Sequence, residues 1–179
     1  MFFNSPRQFF AKGRHVTEQA DSSVASGTDR VRTDAAARGL AVEIITRPAA
    51  NSLAEAAEIL GIEPSGIVKT LVVKRADGNF LFALVPGGRK ISWPKLRALV
   101  GVNKLQLPDA VQALGATGYE RGTITPLGSS TEWPVYADEG IVGQRVAMGA
   151  GAHGFSAFVD ADELIEAFGA VVADISEPE

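Results

Sequence analysis

Cysteine is absent from the 179 residues. That excludes disulfide frameworks, thiolate metal sites and cysteine nucleophiles together, and makes an intracellular setting the simplest expectation. Histidine is nearly absent too, with His15 and His153 alone, so a histidine-based metal centre lacks ligands. No apolar run approaches the ~20 residues of a membrane span, and the opening Met1 to Arg7 stretch has no secretory apolar core, so the expected location is cytoplasmic, with no membrane partner. There is no Gly-x-Ser-x-Gly elbow and no Walker loop, which removes the commonest hydrolase and nucleotide-triphosphatase signatures. What is present suits a folded chain: 46% hydrophobic and 21% charged residues, in a length that favours one domain.

The net charge of −4 hides an asymmetry. From Lys69 to Lys104 eight basic residues face only Asp77, whereas beyond Leu105 two arginines face twelve carboxylates. Two readings follow: a polyanion docks on the basic middle, or the two parts neutralise each other across the folded surface.

Residues 1–39 mix Ser, Thr, Gln, Asp, Arg and Ala without a sustained apolar period, and read as a flexible extension ending in a helix near Asp34 to Arg38. The folded domain is expected over 40–179. Ala41 to Ile45 reads as a first strand. Ser52 to Glu55 is a capping box opening a helix that stops at Gly61. Ile67 to Lys74 and Phe80 to Val85, split by Asp77-Gly78, predict a hairpin at the centre of a sheet. Ser92 caps a helix to Val100, and Pro108-Asp109 opens another that closes at Gly115. Strands are expected at Val135 to Asp138, Arg145 to Met148 and Phe155 to Val159. Asp160 caps a last helix ending at Gly169, and a final strand covers Ala170 to Ile175. Strands and helices interleave without a βαβ rhythm, so the class is α/β of the α+β type: a mixed, partly antiparallel central sheet with surrounding helices.

Lys69 lies in the most apolar strand, on the face of Ile67, Leu71 and Val73. A lysine there needs a carboxylate partner, a lost proton or a ligand cleft, unless that face is the solvated one. The segment Thr117 to Gly128 has three internal or terminal glycines at 118, 122 and 128 and a proline at 126, and reads as a shaped loop able to wall a pocket or simply to pack. Asp138-Glu139 ends a strand, where a carboxylate would meet Lys69, orient a substrate ammonium or stay solvated. Gly149-Ala-Gly-Ala-His-Gly154 spells G-x-G-x-x-G but lacks the following helix of a dinucleotide site. It is read as an N–H nest or a plain turn.

Taken in order, Ile67 to Val73, Leu84 to Pro86, Thr117-Gly-Tyr119, Gly122-x-x-x-Pro-x-Gly128, Asp138-Glu139 and the Gly149 to Gly154 loop resemble the YbaK family of aminoacyl-tRNA deacylases, related to the editing domain inserted in prolyl-tRNA synthetases. The resemblance covers about 40–175. It implies the corresponding fold, trans-editing hydrolysis of the ester of a mischarged tRNA of the Cys-tRNA(Pro) or Ala-tRNA(Pro) kind, and no metal or other cofactor. By the same resemblance Lys69 and Thr70 lie at the ester, with Asp138 a candidate partner for the lysine. Tyr119, Gly122, Pro126, Gly128, Gly149, Gly151, His153 and Gly154 line or donate to the substrate site. The implied partners are the acceptor end of aminoacyl-tRNA and, as a second candidate, an aminoacyl-tRNA synthetase. The competing class is a non-catalytic module that binds an amino acid or a tRNA end beside a synthetase.

Overall fold

The hairpin forms where the β-branched runs meet Asp77-Gly78. Strand β2 (Val68–Arg75) pairs antiparallel with β3 (Phe80–Pro86), Lys69 opposite Val85 and Thr70 opposite Leu84. Gly78, at φ +85°, takes the left-handed turn, and Asp77 Oδ1 accepts the Asn79 N–H. The computed structural model describes residues 21–179, with side chains from Gly27 onward. Around the hairpin are α1 (Asp21–Ala37), β1 (Val42–Thr46), α2 (Leu53–Leu60), β4 (Arg89–Ile91), α3 (Trp93–Val100), β5 (Leu105–Gln106) and α4 (Ala110–Thr117). They are followed by β6 (Val135–Asp138), β7 (Arg145–Met148), β8 (Phe155–Asp160), α5 (Ala161–Phe168), β9 (Val171–Ala173) and β10 (Ser176–Pro178).

The main sheet has the order β5-β2-β3-β6-β9, with β6 parallel to both its neighbours and the rest antiparallel. A second, antiparallel sheet runs β1-β8-β7, and β10-β4 makes a two-stranded ribbon. This is the expected mixed α+β class with helices around the sheets. Both faces of the hairpin are covered. Val68, Val72, Phe82 and Leu84 join one buried cluster with α1, α4 and the second sheet, while Val73, Leu81, Ala83 and Val85 join another with Leu96 and Ile175.

Local signals set most helix ends. Ser52 Oγ accepts the Glu55 N–H, while the Glu55 carboxylate reaches back to the Asn51 N–H; Gly61, at φ +67°, stops α2. Asp109 and Asp160 cap α4 and α5 in the same way. Ser92 stands at the N-cap of α3 but its hydroxyl makes no capping bond, so Pro94 in the first turn carries that signal.

Helix α4 runs past Gly115 to Gly118, the residue that turns left-handed at φ +74° and whose N–H bonds Leu114 O. Gly115 is mid-helical, and a Cβ there meets nothing within 4 Å. Gly115→Ala is therefore expected to stabilise the protein by about 0.5–1 kcal/mol in chemical denaturation, through the entropy of the unfolded chain. The expected last strand, Ala170 to Ile175, is shortened to Val171–Ala173, and a further strand that the sequence pattern did not predict follows at Ser176–Pro178. β9 pairs with β6 and β10 with β4, because between them Ile175 turns fully into the second cluster and gives its N–H to Asp138.

The reading of 1–39 as an extension is corrected for its second half. Residues 21–37 form α1, and Thr28, Val31 and Ala35 are buried on one stripe, so the folded unit begins well before Leu40. The stripe is built from Gly27, Thr28, Val31 and Ala35, small residues of which only Val31 is strongly apolar, so they let the helix come close rather than announce it by hydrophobicity. The part of the expectation falling on residues 1–20 lies outside the described residues.

Candidate functional site

A cavity of about 420 Å³ opens where the start of β2 meets the end of β7. An isolated parallel bridge between Ile67 and Ala147 joins these strands and brings residues 67–70 beside 147–149. Val68, Val72, Ala113, Ile124, Met148 and Phe155 form apolar walls, and the polar groups are few: Arg47, Lys69, Thr70, Arg121 and Ser156. A volume and lining of this kind fit a small-molecule site.

Strand alternation sends Lys69 and Thr70 opposite ways. Thr70 lines the cavity, and its hydroxyl is buried without a hydrogen-bond partner among the described residues. An orphaned hydroxyl costs about 1–3 kcal/mol unless a ligand satisfies it. The Lys69 side chain, 24% exposed, also borders the cavity, but its ammonium donates to Arg89 O and, at 2.5 Å, to Glu179 Oε1. The Lys69 ammonium bonded to it holds the Glu179 carboxyl below the usual carboxylate range.

Asp138 is not the partner of this lysine. It is buried, and its two oxygens accept the N–H groups of Gly140 and Ile175, which makes it the cap of a 3-10 turn and a tie to the second cluster. The carboxylate that meets Lys69 comes from Glu179 instead, about forty residues later in the chain.

Of the other candidates, Gly122 and Gly149 line the cavity with Lys69 and Thr70. Pro126 and Gly128 line a different groove, of about 900 Å³, against α1. Tyr119, Gly151, His153 and Gly154 line neither. Tyr119 is buried, with its hydroxyl donating to Leu127 O and its ring under the Arg30 guanidinium at 4.4 Å; burial pushes its phenol up to about 12. His153 is exposed, Nε2 standing 3.0 Å from Glu120 Oε2. The Gly151 N–H is taken by Thr123 O, so it is not a free donor. Gly149 and Gly151 are there for close packing. A Cβ on Gly149 falls 2.3 Å from Ile124 O, and one on Gly151 falls 2.6 Å from Gly27 O.

Helix α1 braces both loops. Arg30 donates to Thr117 O, Gly118 O and Gly128 O, and Asp34 accepts the Gly128 N–H at 2.9 Å. Sequence reasoning missed this brace, and missed Arg47 and Arg121. Arg47 follows β1 and bonds Ser156 Oγ at 2.8 Å and Pro48 O; Arg121 bonds Pro108 O. The Arg121 signal was its place inside the Thr117 to Gly128 loop; nothing local marks Arg47. The basic middle is neutralised in part, in the sense of the second charge reading: Lys69, Lys90 and Lys95 pair with Glu179, Glu177 and Asp174, and Arg75 with Asp77.

The class is thus a mixed α+β domain whose central hairpin borders an apolar cavity lined by Lys69, Arg47 and Arg121 and by the Thr70 hydroxyl. The sequence profile of the aminoacyl-tRNA editing domain matches residues 47–167, and the chain belongs to this family of YbaK-type editing domains, which is related to prolyl-tRNA synthetase editing. It is 37% identical over 91 residues to a proline–tRNA ligase of Trichlorobacter lovleyi, covering 51% of this chain and 16% of the ligase. Against a proline–tRNA ligase of Thermosipho africanus it is 34% identical over 122 residues, 68% of this chain and 21% of the ligase. The chain thus spans about a fifth or less of the ligases it matches. It is 28% identical over 124 residues to EbsC of Enterococcus faecalis, provisionally named a Cys-tRNA(Pro)/Cys-tRNA(Cys) deacylase, covering 69% of this chain and 76% of EbsC. A solved structure provisionally described as a trans-editing enzyme for prolyl tRNA synthetase superposes with TM-score 0.78 and 30% identity, over 84% of this chain and 97% of that one. The hypothetical protein APE2540 superposes with TM-score 0.77 and 31% identity, over 83% and 99%.

Proposed function

We propose that this protein is a trans-acting aminoacyl-tRNA deacylase that clears a small amino acid, alanine or cysteine, from a proline-type tRNA. The observation that carries the reading is the orphaned Thr70 hydroxyl inside an apolar cavity whose rim holds Lys69, Arg47 and Arg121. An aminoacyl group places its side chain against Val68, Ala113, Ile124 and Met148, where each methylene that does not fit is worth about 10–200-fold in selectivity. The Thr70 hydroxyl satisfies a polar atom of the ester or the substrate ammonium. Lys69, on leaving Glu179, holds the phosphate of the terminal nucleotide, with Arg47 and Arg121 as further anion contacts.

Water attacks the ester carbonyl carbon, the bond to the ribose oxygen breaks, and that oxygen leaves with a proton, giving free amino acid and tRNA. With a cysteinyl substrate the aminoacyl thiol attacks its own carbonyl and displaces the same oxygen, which takes the thiol proton; a cyclic thioester leaves the tRNA and water opens it to cysteine, so no protein nucleophile is needed. The partner is the acceptor end of aminoacyl-tRNA. A synthetase is a second partner by analogy with the ligases that carry this domain.

The test is ester loss from tRNAs charged with alanine, cysteine, serine or proline. Alanyl or cysteinyl ester is expected to disappear at least about tenfold faster than prolyl ester. Loss of all four at the uncatalysed rate rejects the enzyme, and binding without turnover identifies a non-catalytic module.

A further inference from the structure

The acidic stretch after β9 lies along part of the basic segment, and each of its three carboxylates meets one lysine. Asp174 Oδ2 accepts from Lys95 Nζ at 2.6 Å, Glu177 Oε1 stands 3.7 Å from Lys90 Nζ, and Glu179 Oε1 accepts from Lys69 Nζ at 2.5 Å. The neighbouring cation, Arg89, bonds Ser176 through both Nε and Nη2.

The stretch is held unevenly. Ile175 and Ser176 are wholly buried, and the Ile175 N–H is bonded to buried Asp138. Beyond them the backbone is held by a short ladder to β4 and by the Glu179 N–H bonded to Gly88 O at 3.2 Å. β10 is three residues long, pairs only with β4, and contains Pro178, which has no N–H to give the ladder. The carboxylates of Glu177 and Glu179 are about half exposed, and ion pairs of that kind are weak and salt-screened. Two residues apart on an extended strand, they repeat at about 6.5 Å, the scale of successive phosphates on a nucleic-acid strand.

We propose that Glu177–Glu179 is an electrostatic cover over an RNA-docking face made by Lys69, Arg89 and Lys90. Phosphates of the RNA displace the cover, and the displacement frees the Lys69 ammonium to serve the adjoining cavity. Ile175 and Ser176 act as the hinge, because they stay anchored when the ribbon lifts. The proposal rests on the deacylase reading only for the identity of the RNA.

The test is binding of uncharged tRNA to the full chain, read by fluorescence anisotropy between about 50 and 200 mM salt. E177Q/E179Q is expected to bind several-fold tighter at the low-salt end. Its plot of log affinity against log salt should be steeper by about one to two, because the parent must break two salt-weakened ion pairs, to Lys69 and Lys90, before those lysines meet phosphate, and the variant need not. The control is E163Q/E166Q, which makes the same charge change on exposed residues of α5 that pair with none of these lysines. Adding K90Q to E177Q/E179Q should remove about half the gain in slope. The cover is overturned if the control tightens binding as much, if the slope does not change, or if no tRNA binds at all. Uncharged tRNA carries no ester, so the two ideas fail separately. Steeper binding without turnover in the charged-tRNA panel keeps the cover and rejects the chemistry, and turnover with unchanged binding does the reverse.

Discussion

Lys69→Ala is expected to lower kcat/KM for deacylation by on the order of 100- to 1,000-fold, the usual consequence of removing one charged donor from a water-poor site. The fold should survive. The lost ion pair to Glu179 is half exposed on the carboxylate side, where such pairs are weak and salt-screened, so the melting temperature should move by only a few degrees. Lys69→Arg keeps the charge but replaces a compact ammonium with a planar fork where Nζ now meets Arg89 O, and should recover only part of the rate. Deacylation by Lys69→Ala within about threefold of the parent protein would remove this lysine from the site. The hydroxyl beside it supplies an independent check: Thr70→Val removes an unpaired polar atom, so it should raise stability while slowing turnover.

Gly151→Ala carries the largest expected cost in stability, about 2–5 kcal/mol, or on the order of 10 °C in melting temperature. Two effects add. Gly151 sits at φ +82°, and its new Cβ would lie 2.6 Å from Gly27 O and 2.9 Å from the Tyr119 ring. Gly143→Ala separates them, because Gly143 has φ +74° and nothing within 4 Å, so it carries the backbone strain alone. If Gly151→Ala melts no lower than Gly143→Ala, α1 does not seat against this loop. If it melts lower and deacylation falls with it, the helix that Arg30 and Asp34 tie to the Thr117 to Gly128 loop is also what holds the cavity mouth in shape.

The hairpin, the capped helices and the mixed class were legible because each rests on a local rule: Asp77-Gly78 for the turn, Ser52 and Asp160 for the caps, Gly61 and Gly169 for the stops. Errors of extent came where local rules compete. Gly115 offered an early stop to α4, but nothing there required a left-handed residue, whereas Gly118 turns left-handed and closes a bond to Leu114 O. Helix α1 was lost for a different reason. Its buried stripe is small and hardly apolar, and its value lies in close approach, Gly27 against Gly151, which no pattern within the helix can reveal.

The site divides in the same way. Lys69 drew notice because a charge in an apolar strand has to be accounted for, and Thr70 entered with it through the resemblance to the family. The glycines at 149 and 151 were visible as a pattern but ambiguous in purpose, since a donor nest and a close-packing turn use the same residue type.

From its sequence alone this protein's strand and helix types, its family and the lysine beside its cavity could be determined, because backbone propensity, capping and the cost of burying charge act over a few residues. Tertiary structure alone decided that Asp138 serves a turn and Glu179 meets the lysine, that Arg47 and Arg121 line the cavity, and that three C-terminal carboxylates pair with three lysines of the basic segment. Those outcomes depend on which distant side chains are brought within hydrogen-bond reach, and Coulomb attraction between residues 69 and 179 leaves no trace in the sequence near either one.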